Sequence, residues 1–151
     1  MLRSELSDAL KIGMKAKEGR TVATVRLILA ALKDRDIAAR GKGNLDGISE
    51  DEIRLMLQSM IKQRRESIAL YEKGGRLELA EEEAEEIEII QRFLPAPLGD
   101  EEMAAAISGV IAEAEAKSLK DMGRVMAALK ERYAGRMDFA KASATVKKRL
   151  G

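Results

Sequence analysis

Both prolines of this chain lie in one short segment, Leu94-Pro95-Ala96-Pro97, and this segment limits the folds that are open to the chain. Proline lacks a backbone N–H and disfavours helical geometry in the residue before it, so one helix cannot continue through this segment. Apolar residues recur at helical spacing on both sides of it. We therefore predict an all-α chain with an N-terminal helical domain (residues 1–94), a proline hinge and a C-terminal helical domain (residues 95–151).

Four helices are predicted in the N-terminal domain. They cover approximately residues 3–17, 22–40, 50–73 and 77–93. Thr21 is the predicted N-cap of the second helix, and Ser49 with Glu52 forms a capping-box pattern at the start of the third. The composition is 46% hydrophobic, 35% charged and only 3% aromatic, which is typical of amphipathic helices and not of sheets.

Three further helices are predicted after the prolines, as a tail module. Asp100 is the predicted cap of the fifth helix, the sixth covers about residues 119–133, and Asp138 is the predicted cap of the seventh. Gly123 lies inside the sixth helix, where glycine costs about 1 kcal/mol relative to alanine. Close approach of another helix, or of a ligand backbone, would explain a glycine at this position.

The residue types that are missing restrict the chemistry. The chain has no cysteine and no histidine, which removes disulfides, thiolate nucleophiles, the commonest general base and the commonest metal ligand. No phosphate-binding glycine loop or nucleophile elbow is present. We predict no catalytic residues, no metal and no cofactor, and therefore no autonomous enzyme.

The apolar runs are too short for a membrane span, which needs about 18 residues. The first residues are charged and lack the apolar core of a secretory signal. These features predict a cytoplasmic protein that does not contact membranes, whereas they predict nothing about its oligomeric state.

Charge is sorted along the chain, although the whole chain carries only +1. The predicted fourth helix holds seven glutamates, a run that is usually a solvated helix face. By contrast, residues 117–151 hold ten Lys or Arg against three Asp or Glu, a local charge of +7. Sorted positive charge on a small helical module is typical of a polyanion-binding surface. The predicted nucleic-acid contacts are Arg124, Lys130, Arg132, Arg136, Lys141, Lys147 and Lys148.

A secondary basic cluster is formed by Arg26, Arg64 and Arg76. Arg64 lies beside the apolar stripe of the third helix, where it can pair with a carboxylate of the acidic helix, Glu83 or Glu86. Alternatively, the three arginines grip a phosphate. The spacing of the residues leaves both interpretations open.

An ordered set of short segments resembles one known family. The segments include Lys11 with Met14-Lys15, Thr24-Val25-Arg26, Lys62-Gln63-Arg64 with Glu66-Ser67-Ile68, Gly75-Arg76, Phe93-Leu94-Pro95, Met122-Gly123 and Gly135-Arg136 with Asp138. Together they resemble the GatB/YqeY family, and specifically its stand-alone YqeY-like proteins. Ala140 departs from the pattern, because the family often has a lysine there and this chain has Lys141 one position later.

The resemblance implies that the tail module is similar to the C-terminal domain of the B subunit of the tRNA-dependent amidotransferase. In that enzyme the tail contacts tRNA, and other domains carry the amide chemistry. The predicted function is a tRNA-binding or amidotransferase-associated accessory protein, with tRNA and the aminoacyl-tRNA amidation machinery as partners. A carbon–nitrogen ligase activity with glutamine as amido donor would be inherited only as a family label. The alternative is a helical protein–protein interaction module that binds no nucleic acid.

Overall fold

The computed structural model describes the whole chain, Met1–Gly151, which forms seven α-helices and one short 3-10 turn without a β-strand. The helices are α1 (Leu2–Lys15), α2 (Gly19–Gly41), α3 (Glu50–Lys73), α4 (Leu77–Gln91), α5 (Asp100–Glu113), α6 (Met122–Tyr133) and α7 (Phe139–Leu150). The prediction of an all-α fold is confirmed. The chain divides into two compact units, Met1–Pro95 and Ala96–Gly151, which we call unit 1 and unit 2.

Unit 1 is built around an aliphatic core. In it α3 packs along α4, α1 packs along α2, and α2 also packs on α4. Leu6 of α1, Ile28 of α2, Ile53 and Leu57 of α3 and Ile90 of α4 are completely buried. Each buried side chain of this size contributes about 1.5–3 kcal/mol, so these contacts are the main reason why the four helices hold together.

A polar network joins the start of unit 1 to the loop between α2 and α3. Arg3 forms a bidentate ion pair with Asp36, which is buried on α2, and also donates to the carbonyl oxygen of Ile48 at 2.8 Å. The N–H of Ile48 donates to Asp36 Oδ1 at 2.9 Å. Because Arg3 donates two hydrogen bonds to it, the pKa of Asp36 lies below its ordinary value, although burial opposes this shift.

Gly47 is required where the loop passes over Asp36. Its φ is +81°, in the left-handed region, and a Cβ on it would lie 2.2 Å from Asp36 Oδ1. The carboxylate cannot retreat freely, because Arg3 and Ile48 hold both of its oxygens. Both the positive φ and the close contact with Asp36 therefore require glycine at this position.

Unit 2 consists of α5, α6 and α7 around a second core. Ile107 of α5, Val125 and Leu129 of α6, and Val146 of α7 are completely buried, together with Met137 in the turn before α7. Gly135, with φ +84°, reverses the chain between α6 and α7. The three helices thus bury one face each and leave their opposite faces in solvent.

Two of the predicted caps are confirmed. Ser49 accepts from the N–H of Glu52 while Glu52 accepts from the N–H of Ser49, which completes the capping box of α3. Asp138 accepts from the N–H groups of Ala140 and Lys141 at the start of α7.

Two other predicted caps are wrong. The second helix begins before Thr21, at Gly19, because Glu18 already accepts the first helical hydrogen bond from Val22. The fifth helix likewise begins at Asp100 itself, and Gly99 occupies the cap position and accepts from the N–H of Met103. A polar residue in the first turn of a helix can therefore be mistaken for its N-cap when only the sequence is known.

The first explanation offered for Gly123, close approach of another helix, is also wrong, whereas close approach of a ligand backbone stays a prediction. The residue is exposed on α6, and no neighbouring atom lies within 4 Å of the place that a Cβ would take. Packing among the helices of unit 2 therefore does not require a glycine there.

Candidate nucleic-acid interface

Two of the predicted arginine contacts are engaged in ion pairs within unit 2. Arg124 of α6 pairs with Asp121 at 2.8 Å, and Arg132 at the end of α6 pairs with Glu113 at the end of α5. Both side chains of the Arg132–Glu113 pair are exposed, and in the other pair Arg124 is exposed while Asp121 is half-buried. Surface pairs of this kind compete with an incoming phosphate, although they contribute little to folding stability.

Asp121 organises the turn that leads into α6. Its Oδ2 accepts from the N–H of Lys117 at 2.9 Å and from the N–H of Ser118 at 3.3 Å, while its other oxygen binds Arg124. The Lys117 bond, the Arg124 bond and the Ser118 bond lower the pKa of Asp121 to about 2. The carboxylate is therefore a structural anion that orders the beginning of the basic segment.

Arg136 is a third arginine with internal partners. It is half-buried, and its Nε donates to the carbonyl oxygen of Ala96 at 3.3 Å. Its own carbonyl oxygen accepts from the N–H of Leu98 at 2.7 Å. These bonds tie the turn before α7 to the segment before α5, so Arg136 has a structural role in unit 2.

The four predicted lysines differ from these arginines. Lys130 of α6 and Lys141, Lys147 and Lys148 of α7 are exposed, and none of them forms an ion pair within the chain. Lys141 and Lys148 are seven residues apart, so they lie on one side of α7, opposite the buried Val146. The structure therefore presents free ammonium groups on the outer side of α7.

The charge within unit 2 is divided between its helices. Helix α5 carries four acidic residues and no basic one, whereas α6 and α7 together carry seven basic residues and one acidic residue. Unit 2 as a whole has ten basic and eight acidic residues, a net charge of +2. The local +7 of the sequence is thus a property of the α6 and α7 side and not of the whole unit.

No aromatic side chain is free to stack on a base in this region. Tyr133 and Phe139 are half-buried and pack against the core of unit 2. Proteins that bind single strands rely on exposed aromatic side chains as stacking platforms. The side chains on α6 and α7 are suited to phosphate contacts, which need charge and not stacking.

Arg64 of α3 forms the carboxylate pair that was one of its two predicted roles. Its Nε donates to Glu86 of α4 at 2.8 Å, Glu83 lies 3.9 Å from the same nitrogen, and its Nη1 donates to the carbonyl oxygen of Met60. The Arg64 side chain retains only 13% of its exposure. Burial, followed by the repulsion of Glu86, raises the pKa of Glu83, which the attraction of Arg64 only partly offsets.

The other members of the secondary cluster lie apart from this pair. Arg26 is exposed on α2, and Arg76 is exposed at the residue that precedes α4. No hydrogen bond or ion pair links either of them to Arg64. The phosphate grip of Arg26, Arg64 and Arg76 stays a prediction.

The ion pair between Arg3 and the buried Asp36 was not predicted from the sequence. A signal existed, since Asp36 follows the buried Leu32 by four residues and so continues the inward stripe of α2. An aspartate at such a position indicates a buried partner.

No group of three or more carboxylates is arranged to hold a metal ion. None of the seven helices has the length and the apolar composition that a membrane span requires.

Comparison with known proteins identifies relatives of this chain. The family described as "Yqey-like protein" matches residues 3–150. A protein of Lachancea thermotolerans named "Altered inheritance of mitochondria protein 41, mitochondrial" is 33% identical over 112 residues, which are 73% of this chain and 58% of that protein. The protein of the same name from Eremothecium gossypii is 35% identical over 104 residues, 68% of this chain and 55% of that protein.

The chain spans little more than half the length of these curated relatives, 58% and 55%. Their names describe them as mitochondrial proteins, as does the name of a Saccharomyces cerevisiae relative with 33% identity over 93 residues. The prediction of a cytoplasmic protein is therefore wrong. It rested on the missing secretory signal, and the absence of such a signal does not distinguish the cytoplasm from an organelle.

The family match covers nearly every residue from α1 to α7, and it includes both compact units. It agrees with the ordered segments from Lys11 to Asp138 by which the sequence resembled this family. The chain belongs to the YqeY-like protein family.

Proposed function

We propose that this protein is a non-catalytic accessory protein that binds tRNA through the free lysines of unit 2. The observation that carries the proposal is the contrast between arginines and lysines on the same unit. Arg124, Arg132 and Arg136 have internal partners, whereas the lysines of α6 and α7 are exposed and unpaired. The contacts proposed for RNA are Lys130, Lys141, Lys147 and Lys148.

Lysine side chains bind RNA mainly as mobile point charges near phosphates. A surface of this kind releases counterions on binding and does not read the base sequence, so its affinity falls steeply with salt. The lack of exposed aromatic residues on α6 and α7 fits recognition of backbone and shape. The proposed ligand is therefore a folded RNA and not an unpaired strand.

The resemblance of the tail module to the B subunit of the tRNA-dependent amidotransferase supports tRNA as this RNA. It also supports the aminoacyl-tRNA amidation machinery as the proposed setting. The names of the relatives support a mitochondrial setting for such a function.

The test is a titration of labelled bulk tRNA with the full chain, followed by fluorescence anisotropy at low salt. The double variant Lys141→Glu/Lys148→Glu places two anions on the outer side of α7. We expect its affinity for tRNA to fall at least 10-fold, because two attractive contacts become repulsive ones.

The matched control is Lys62→Glu/Lys73→Glu, which makes the same change of charge at two exposed lysines of α3 in unit 1. We expect this control to lose less than 3-fold, through the change in net charge alone. Equal losses in the two double variants, or no binding by the unaltered protein, would contradict the proposal.

A further inference from the structure

Helix α2 exposes a face that differs from an ordinary solvated helix face. Its buried side carries Val25, Ile28 and Leu32. On the opposite side, Leu27 and Ile37 keep 50% and 55% of their exposure. A helix at a protein surface normally places polar residues on its outer face, so these two side chains are available for a second contact.

Helix α3 of the same unit provides the comparison. Between residues 52 and 66 its exposed positions are all polar: Glu52, Ser59, Lys62, Gln63, Arg65 and Glu66. Both helices bury an aliphatic stripe in the same core. Outside this part of α3, other positions of unit 1 also expose apolar side chains, Ile12 and Met14 on α1 and Leu70 near the end of α3. Exposed apolar residues alone therefore do not set α2 apart, and its charges have to be considered with them.

The exposed face of α2 also carries a regular row of cations. The row alternates small or apolar residues with basic ones: Ala23, Arg26, Ala30, Lys33, Ile37 and Arg40. The cations repeat every seven residues, which is about 10.5 Å along a helix. Arg26 and Lys33 form no ion pair within the chain, and Arg40 donates only to the carbonyl oxygen of Leu45 in its own loop, at 3.3 Å.

We infer that α2 docks an acidic amphipathic helix of a partner protein along the row from Ala23 to Arg40. Acidic residues repeated every seven positions on that helix would have the same spacing of about 10.5 Å as the three cations. The alanines of the row allow two helix axes to approach closely, and Leu27 and Ile37 would be covered by apolar side chains of the partner.

The apolar residues decide between this partner and RNA. Phosphates would satisfy Arg26, Lys33 and Arg40 equally well, but a nucleic-acid backbone gains nothing from Leu27 and Ile37. An acidic amphipathic helix can contact both the cations and the two apolar residues. This surface lies on unit 1 and involves none of the lysines proposed to bind tRNA.

The probe is a pair of labelled 21-residue helical peptides with identical apolar residues and three charged positions spaced seven apart. One peptide has glutamate at these positions and the other has lysine. Anisotropy titrations against the full chain are expected to show at least 10-fold tighter binding of the glutamate peptide. Equal affinities would overturn the inference without the need for any variant.

Charge reversal makes the test specific to the row. In Arg26→Glu/Lys33→Glu/Arg40→Glu we expect the preference to invert, so that the lysine peptide binds more tightly than the glutamate peptide. The single variant Lys33→Glu is expected to reduce the preference in the same direction, which keeps the test valid if the triple variant fails to fold. An unchanged preference in folded variants would overturn the inference.

The apolar residues are tested with Leu27→Ser/Ile37→Ser, which should weaken the glutamate peptide at least 5-fold. Leu70→Ser is the matched control, because Leu70 is 70% exposed on α3 and lies outside the row. If the serine double variant binds like this control, the docking face is refuted. The same holds if the charge reversal weakens tRNA binding as much as Lys141→Glu/Lys148→Glu does, since the row would then serve RNA.

Discussion

The two units use arginine and acidic side chains in different ways. In unit 1, Arg3 with Asp36 and Arg64 with Glu86 form ion pairs that are at least partly buried and that join separate helices or loops. In unit 2 the guanidinium groups of Arg124 and Arg132 are exposed although each has an acidic partner, and four exposed lysines have no acidic partner. These two arginine pairs of unit 1 therefore serve its own fold, whereas the four lysines of unit 2 have no such role within the chain.

Because of this difference, we expect substitutions to change either the stability of the fold or the affinity for tRNA, but not both. Removing one partner of a buried pair leaves a charge without compensation and destabilises the fold, while removing an exposed charge does not. Substitutions in the pairs of unit 1 should therefore change unfolding and spare tRNA affinity. Substitutions of the unit 2 lysines should have the opposite pattern.

The largest effect is expected for Asp36→Ala. It leaves the N–H of Ile48 without its acceptor and removes the two hydrogen bonds that Arg3 donates to the buried carboxylate, so that Arg3 keeps only the carbonyl oxygen of Ile48. We expect a loss of about 2–4 kcal/mol in the free energy of unfolding, discounted for the partial exposure of Arg3. Urea denaturation gives the free energy, and hydrogen exchange should show the lost protection in α1 and α2.

Glu113→Ala is the control for this prediction, since it breaks the exposed pair with Arg132 in unit 2. It should leave the urea midpoint unchanged within error. If Asp36→Ala behaved like this control, the distinction between buried and exposed pairs would fail.

The next effect is expected for Gly47→Ala. The new Cβ meets Asp36 Oδ1 at 2.2 Å and also adopts a positive φ of +81°. Gly43→Ala is the matched control, because its φ of +103° is also positive but open space surrounds it. We expect Gly47→Ala to cost about 1–3 kcal/mol more than Gly43→Ala in the free energy of unfolding. Equal costs would show that the backbone conformation alone requires the glycine.

A smaller effect separates the two glutamates beside Arg64. Glu86→Gln weakens the charge-assisted bond of 2.8 Å and should destabilise unit 1 by about 1–2 kcal/mol. Glu83→Gln should be neutral or slightly stabilising at pH 7, because the pKa of Glu83 is raised and its charged form is disfavoured in the fold. Thermal unfolding of both variants at pH 7 tests this order, and a larger loss in Glu83→Gln would reverse it.

The smallest effect is the pH dependence contributed by Glu83. Its pKa is higher in the folded than in the unfolded chain, so the folded chain binds more protons between the two values. Stability from this group should therefore rise as the pH falls through the folded pKa. The difference in unfolding free energy between the unaltered protein and Glu83→Gln, measured from pH 7 to pH 4, should change in that direction, and a constant difference would contradict it.

Much of the fold could be predicted because local signals agree with one another. The Pro95–Pro97 segment, the capping box at Ser49 and the cap at Asp138 each require only nearby residues, and the structure contains all three features. The predicted caps at Thr21 and Asp100 were wrong because a helix can begin at any of several neighbouring residues. The backbone hydrogen bonds decide which of them is the first.

For the candidate site, the sequence predicted which basic residues belong to it but not which of them have partners within the chain. Sequence placed Arg124, Arg136 and Lys141 in one class, because charge alone does not reveal a partner far away in the chain. The acceptor of Arg136 at Ala96 is 40 residues distant, and no local pattern indicates it. Only the folded chain separates cations that have internal partners from those that are free.

The most direct measurement of the central claim is the salt dependence of tRNA affinity, with Lys130→Gln/Lys141→Gln/Lys148→Gln compared with the unaltered protein. Each phosphate contact contributes about 0.7–0.9 to the slope of log affinity against log salt, so the variant should lose about 2–3 from the slope. Its urea unfolding curve should not move, because none of these lysines has a partner in the fold. An unchanged slope would contradict the claim that the free lysines of unit 2 bind RNA.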